Sequence, residues 1–175
     1  MRVYKDQFIK GNSVNWKNWQ AIFDEKVCDE CYDIHGTIYP LNVVIKRLHL
    51  FDRCNLVPMR TKKNGTATKY GVSGVDSYLK KVGVLPPNYI SKKEAVVKGW
   101  VKKKGNLSDV LPGKIIGGEI YRNDNSRLPQ EDGRIWYEAD LEYESGYRST
   151  DRIVYSSDGL VFLTYDHYKT FYEVI

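Results

Sequence analysis

Two hydrophobic periods divide the second half of the chain. Val75, Leu79 and Val82 recur at helical spacing, and Gly83 follows as a stop signal. After the turn LPPN, Ser91 is followed three residues later by Glu94, a capping box that starts a second helix at Ser91. Lys92 and Lys93 then fall in the first turn, where the helix dipole disfavours cations by roughly 0.3–1 kcal/mol each. Beyond Gly113 the period shortens to two. In RIWYEADLEY, Ile135, Tyr137, Ala139 and Leu141 point one way, and Trp136, Glu138, Asp140 and Glu142 the other. The first set is apolar enough to be buried, which places Glu138 on the opposite face of a rigid strand. DRIVYSSDG and GLVFLTYDHY predict two more strands around a tight turn at Asp158-Gly159. Helices followed by an antiparallel sheet make an α+β fold.

Residues 60–73, RTKKNGTATKYGVS, lack any apolar period and are polar, basic and rich in Gly and Thr. The expected organisation is a small module over 1–66, a linker over 67–73 and an α+β domain over 74–175. Charge follows this division. Residues 1–70 hold 12 Lys/Arg and 7 Asp/Glu, whereas residues 71–175 hold 15 of each, so the net +5 belongs to the first segment. A basic surface attracts nucleic acid without sequence preference, although a mildly basic solvated surface accounts for the count equally well. The chain has no apolar run of membrane-span length, so no membrane partner is expected. MRVYKDQFIKGNS has no core for a signal peptide, which argues against classical secretion.

All three cysteines lie in the first third. Their odd number excludes a complete internal disulfide framework. The spacing Cys28-x2-Cys31-x17-His49-x4-Cys54 can supply four ligands to a structural, tetrahedral zinc, with His35 as a spare. Because protein would fill all four positions, such a zinc would not be catalytic.

The candidate chemistry lies near the C-terminus. Glu138 can take a proton, His167 can give one, and Arg148 and Arg152 can hold a phosphate between two guanidiniums. These are the parts needed to cleave RNA with its own 2′-hydroxyl and no metal. The stretches LPPNYISKKEAVVKGWVKKKGNLSDVLPGKIIGGEIYRN, GRIWYEADLEYESGYRSTDRIVYSSD and DHYKTF resemble the barnase/binase family of small bacterial guanyl-preferring ribonucleases, in ungapped register from Gly74 to Ile175. The resemblance implies the microbial ribonuclease fold, with Glu138 as general base and His167 as general acid. It also implies that Lys92, Arg148 and Arg152 bind the phosphate and that Tyr168 stacks on a base. The products would carry a 2′,3′-cyclic phosphate. A barstar-like protein inhibitor and a monomeric state are implied as well.

The base-recognition loop departs from that family. It reads Glu119-Ile120-Tyr121-Arg122-Asn123-Asp124-Asn125. Tyr121 stands where an aromatic stacks on guanine, Asn125 replaces the guanine-binding glutamate, and Asp124 replaces an arginine. A carboxylate accepts two N–H bonds, whereas an amide offers one acceptor and one donor. Base preference is therefore open. The first segment, NWQAIFDEKVCDECYDIHGTIYP and HLFDRCNLVPM, resembles the tail of phage head-morphogenesis (Mu F-like) proteins, with Phe51-Asp52 around the place of that family's middle cysteine. Together the two resemblances imply a ribonuclease toxin of a phage-like or bacterial competition element, carried out by a non-classical or phage-like route to act in a target cytoplasm. The alternative is a non-catalytic phage-particle or RNA-binding protein on a nuclease-derived fold.

Overall fold

The computed structural model describes residues 12–23, 27–45 and 54–175. It forms two compact units: Met1–Thr61 with Asp124–Pro129, and Lys62–Asn123 with Gln130–Ile175.

In the first unit, strand β1 (Asn12–Gln20), helix α1 (Asp29–Asp33), strand β2 (Ile38–Pro40) and strand β3 (Asn55–Lys62) follow in order. β1 pairs antiparallel with both other strands, Asn18 opposite Ile38 and Trp19 opposite Leu56. Trp19, Ala21 and Cys31 form a small buried cluster against which Cys28, Ile34, Tyr39, Cys54 and Leu56 pack. Alternation in NSVNWKNWQ is too weak to announce a strand; the pairing on both sides of β1 imposes one.

The second unit opens with helix α2 (Val75–Val82), which ends at Gly83 in the left-handed conformation, φ 81°. Strand β4 (Tyr89–Ile90) and helix α3 (Lys92–Val97) follow, and the Ser91–Glu94 capping box forms as expected. After the short helix α4 (Leu107–Val110) come β5 (Ile115–Tyr121), β6 (Trp136–Asp140), β7 (Arg152–Ser156), β8 (Val161–Thr164) and β9 (Tyr172–Val174). β5 to β9 pair antiparallel in chain order, and β4 joins β5 in parallel. The expected tight turn is present, with Gly159 at φ 94°. This is the expected α+β arrangement, and it fits a ribonuclease fold.

Val75 and Leu79 of α2 pack on one sheet face with Ala139, Leu141, Ile153, Tyr155, Val161 and Leu163. The other face carries Glu138 opposite Val154, and Val154 opposite Phe162. The alternation read from β6 needs one correction. Ile135, expected in the core, is 44% exposed, while Trp136 is 3% exposed. Ile135 precedes β6, and the Trp136 ring meets Phe162 edge-on at 5.7 Å. Trp136, Val154 and Phe162 are buried on one face and Ala139 and Ile153 on the other, so alternation alone does not separate core from solvent.

Residues 67–73, expected to act as a linker, are bonded into the second unit. The buried carboxylate of Asp76 accepts the backbone N–H groups of Gly65 and Ala67 at 2.8 and 3.2 Å. Lys69 N–H donates to Glu142 at 2.6 Å, and Asn64 N–H donates to the carbonyl of Ile175. Asp76→Ala removes an acceptor from two backbone donors and should cost about 1–3 kcal/mol. The urea midpoint should fall, and proteases should cut near residues 64–68. An unchanged midpoint and digestion pattern would mean that other contacts hold this segment.

Candidate active site

A cavity of about 860 Å³ opens on the Glu138 face of the second unit, within the usual range for a ligand site. Lys92, Glu138, Arg148, Arg152, His167 and Tyr168 all line it. These residues come from α3, β6, β7 and the loops beside them, so folding gathers groups up to 76 positions apart in sequence.

Glu138 is held by two donors. Lys92 Nζ lies 2.9 Å from Glu138 Oε1, and the Tyr168 hydroxyl donates to Oε2. Burial pushes this carboxyl up, but the hydrogen bonds from Tyr168 and Lys92, with the charges of Lys92 and Arg152, outweigh burial and hold it below its usual range. Glu138 is therefore ionised at neutral pH and able to accept a proton.

Lys92 is placed by a distortion in β5. The register shifts between Gly117 and Glu119, so that Glu119 lies opposite Glu138. Such bulges re-aim side chains beside functional sites. A Cβ at Gly117 would lie 2.6 Å from the Ala139 side chain, so glycine is required for this approach. Two facing carboxylates repel. Lys92 offsets this by donating its backbone N–H to Glu119 at 2.7 Å and its ammonium to Glu138. Lys93, on the same helical turn, is exposed.

The arginines are fixed from behind by Asp140, which is 1% exposed. Arg148 Nε and Nη2 donate to its two oxygens at 2.6 and 2.7 Å, and Arg152 Nη1 approaches at 3.1 Å. Arg152 also donates to the carbonyls of Ser149 and Asp151. Burial lowers the Arg148 pKa, but its bonds to Asp140 outweigh that and raise it. Sequence reasoning placed Asp140 on the acidic face of β6 and gave it no role. Its position two residues after Glu138 on the same strand was the available signal.

His167 and Tyr168 follow β8 with left-handed backbones, φ 57° and 69°. Non-glycine residues in this region carry strain of about 1–3 kcal/mol each. Asp166 holds the turn: its carboxylate accepts the N–H groups of Lys169 and Thr170 and the hydroxyl of Thr170. Tyr168 N–H donates to Thr164 Oγ1 at 2.9 Å. The turn leaves His167 exposed at the cavity and stacks the Tyr168 ring on Tyr121, with centroids 5.1 Å apart.

Of the other base-loop residues, Arg122 is exposed and Asn123 is buried at φ 53°. Asp124 and Asn125 are exposed and belong to the first unit, where Asn125 Oδ1 accepts Arg127 N–H at 3.4 Å. The cysteine motif is described only in part. Cys28, Cys31 and Cys54 share one apolar cluster, and Cys31 N–H donates to Cys28 Sγ at 3.3 Å. His49 lies outside the described residues. His35 uses Nδ1 to accept Ala21 N–H at 3.0 Å. Among the described residues no group of three or more His, Cys, Asp and Glu side chains is placed to hold a metal ion.

A carboxylate, an imidazole, an ammonium and two anchored guanidiniums around one cavity define a protein equipped for acid–base chemistry on a phosphodiester. The chain belongs to the ribonuclease family, whose model matches residues 73–175. It is 52% identical over 101 residues to a ribonuclease of Heyndrickxia coagulans, a match covering 58% of this chain and 93% of that protein. Ribonucleases of Bacillus intermedius and Bacillus pumilus are also 52% identical over 101 residues, and the match covers 62% of each.

The Tyr168 hydroxyl stabilises ionised Glu138, so Tyr168→Phe should move the Glu138 titration upward. Carbon-detected NMR of the side-chain carboxyl across an acid titration reads this directly. A pKa that stays put or falls would remove Tyr168 from the account of the carboxylate.

Proposed function

We propose that the protein is an endoribonuclease that cleaves single-stranded RNA by transphosphorylation. The observation that carries this reading is the placement of Glu138, His167, Lys92, Arg148 and Arg152 around one cavity. Glu138 takes the proton of the 2′-hydroxyl. The 2′-oxygen attacks phosphorus, the bond to the 5′-oxygen breaks, and His167 protonates that leaving oxygen. The products are a 2′,3′-cyclic phosphate and a free 5′-hydroxyl. Lys92 and the two arginines stabilise charge developing on the non-bridging oxygens. The reaction needs no metal, because protein cations supply the charge and a side-chain carboxylate supplies the base. The stacked Tyr121 and Tyr168 rings would open to take a base between them or exchange one partner for it. Asp124 and Asn125, in place of an arginine and a glutamate, leave the base preference open.

An active ribonuclease endangers the cell that makes it. This supports a toxin role, with a protein inhibitor covering the anionic-substrate cleft in the producing cell. The first unit is read as a docking or trafficking piece of a phage-like or competition element. In it Cys28, Cys31, His49 and Cys54 would hold a structural zinc; three of the four share one cluster.

Purified protein should cleave single-stranded RNA in excess chelator and leave cyclic-phosphate ends. Glu138→Ala and His167→Ala should each lose about 10²–10⁴-fold in kcat/KM without loss of fold by circular dichroism. Equal degradation by wild type and both variants would refute the assignment. A dinucleotide set varied in the 5′ base reads base preference in the same assay.

Elemental analysis of fresh, reduced protein should find about one zinc per chain. Metal-free protein that is folded by circular dichroism would end the zinc reading.

A further inference from the structure

Asp76, in the first turn of α2, is a carboxylate that the fold leaves half satisfied. It is fully buried, at 0% exposure. Its Oδ2 accepts the N–H groups of Gly65 and Ala67, while Oδ1 has no hydrogen-bond partner. Among the described residues no lysine, arginine or histidine pairs with it. Lys69 is bonded to Glu144, and Lys62 stands over the Tyr165 ring. A buried carboxylate without a counter-charge is costly, and the dipole of a short helix offsets only a fraction of that cost. The surroundings deepen the deficit. Burial raises the Tyr165 pKa, and the negative charges of Asp151, Asp76 and Glu142 raise it further.

Oδ1 points into a space walled by oxygen. A Cβ built on Gly74 would stand 2.7 Å from Asp76 Oδ1, 2.2 Å from Thr68 Oγ1 and 2.9 Å from the Gly71 carbonyl oxygen. Gly74 has φ −71° and ψ 163°, an extended backbone that any residue adopts. Glycine is therefore needed here for the room it leaves and not for its conformation. The other two oxygens are each held by one backbone donor. Thr68 Oγ1 accepts the Tyr70 N–H at 3.3 Å, and the Gly71 carbonyl accepts the Gly74 N–H at 2.9 Å. A hydroxyl or carbonyl oxygen that accepts one hydrogen bond keeps a lone pair for a further ligand.

We propose that Asp76 Oδ1, Thr68 Oγ1 and the Gly71 carbonyl bind a hard cation of calcium or sodium size, with water completing its shell, and that this ion ties residues 65–71 to α2. One carboxylate, one hydroxyl and one carbonyl are hard oxygen donors that carry a single negative charge between them. Calcium takes such ligands at about 2.3–2.6 Å in flexible geometry, which suits unevenly placed oxygens. Sodium is similar in size and carries half the charge. Magnesium demands a near-ideal octahedron at about 2.0–2.1 Å, which these three oxygens do not offer. Metals that seek thiolate or imidazole find neither here. None of these residues lines the catalytic cavity, so the ion stabilises the unit without entering the RNA-cleaving reaction.

The test is hydrogen exchange of the full chain, read by mass spectrometry on peptides spanning residues 64–74, after dialysis into metal-free choline chloride buffer. Calcium, sodium and magnesium chloride are each titrated in at constant ionic strength. Calcium or sodium should slow exchange in these peptides about tenfold once its concentration is about ten times the half-saturating value, because the opened segment does not bind the ion. Asp76→Asn keeps an acceptor for Gly65 and Ala67 but carries no charge, and it should abolish the effect. Thr68→Val keeps shape and charge. It should raise the half-saturating concentration by about tenfold or more, since even outer-shell partners of a metal are typically worth that much. Thr68→Val decides the matter if Asp76→Asn does not fold. A response to calcium alone assigns a divalent ion and a response to sodium a monovalent one, and either supports the site. Unchanged exchange in both salts, an equal effect of magnesium, or a Thr68→Val response equal to that of wild type overturns the proposal.

Discussion

The buried carboxylate of Asp140 is the constraint on which the site depends. It lies 1% exposed between Arg148 and Arg152. Removing one member of such a buried charge group typically costs about 3–5 kcal/mol, because the remaining charges lose their partner. Two guanidiniums brought to the same cavity wall would otherwise repel each other and sample many rotamers. With Asp140 behind them, two nitrogens of Arg148 and one of Arg152 are committed before any ligand arrives. Tyr89 ties the same residue to the rest of the unit through its hydroxyl, which donates to the Asp140 carbonyl at 2.9 Å. The cavity is therefore electrostatically organised in advance, which is what charge stabilisation in a transition state requires.

Local rules are broken around this anchor, and each break has a neighbour that offsets it. The β5 register shift sets Glu119 against Glu138, and Lys92 bonds both. Lys92 itself stands at the unfavourable end of the α3 dipole, where Glu94 of the capping box and the two carboxylates compensate. His167 and Tyr168 adopt left-handed backbones that Asp166 and Thr164 hold by hydrogen bonds. Strain of this kind persists only where surrounding structure over-determines it, and it tends to gather at functional sites.

Much of the second unit was legible in advance because its signals are local. The Val75–Leu79–Val82 stripe, the Ser91–Glu94 box and the Asp158-Gly159 turn each act within a few residues. In residues 67–73 no local pattern announces the bonds to Asp76 and Glu142, because those partners lie elsewhere in the chain. The same holds for Trp136, whose burial depends on Phe162 from another strand. β1 escaped notice because hydrogen bonding to β2 and β3, rather than alternation, makes it a strand.

The sequence by itself determined the helical and strand periods, the capping and turn positions, and the residue types able to move a proton and hold a phosphate. Those properties are carried by single side chains and near neighbours. Tertiary structure alone decided that Glu138, Lys92 and Tyr168 share hydrogen bonds and that Asp140 stands behind both arginines. These are relations between distant parts of the chain. They arise from strand register and a bulge, which no local pattern encodes.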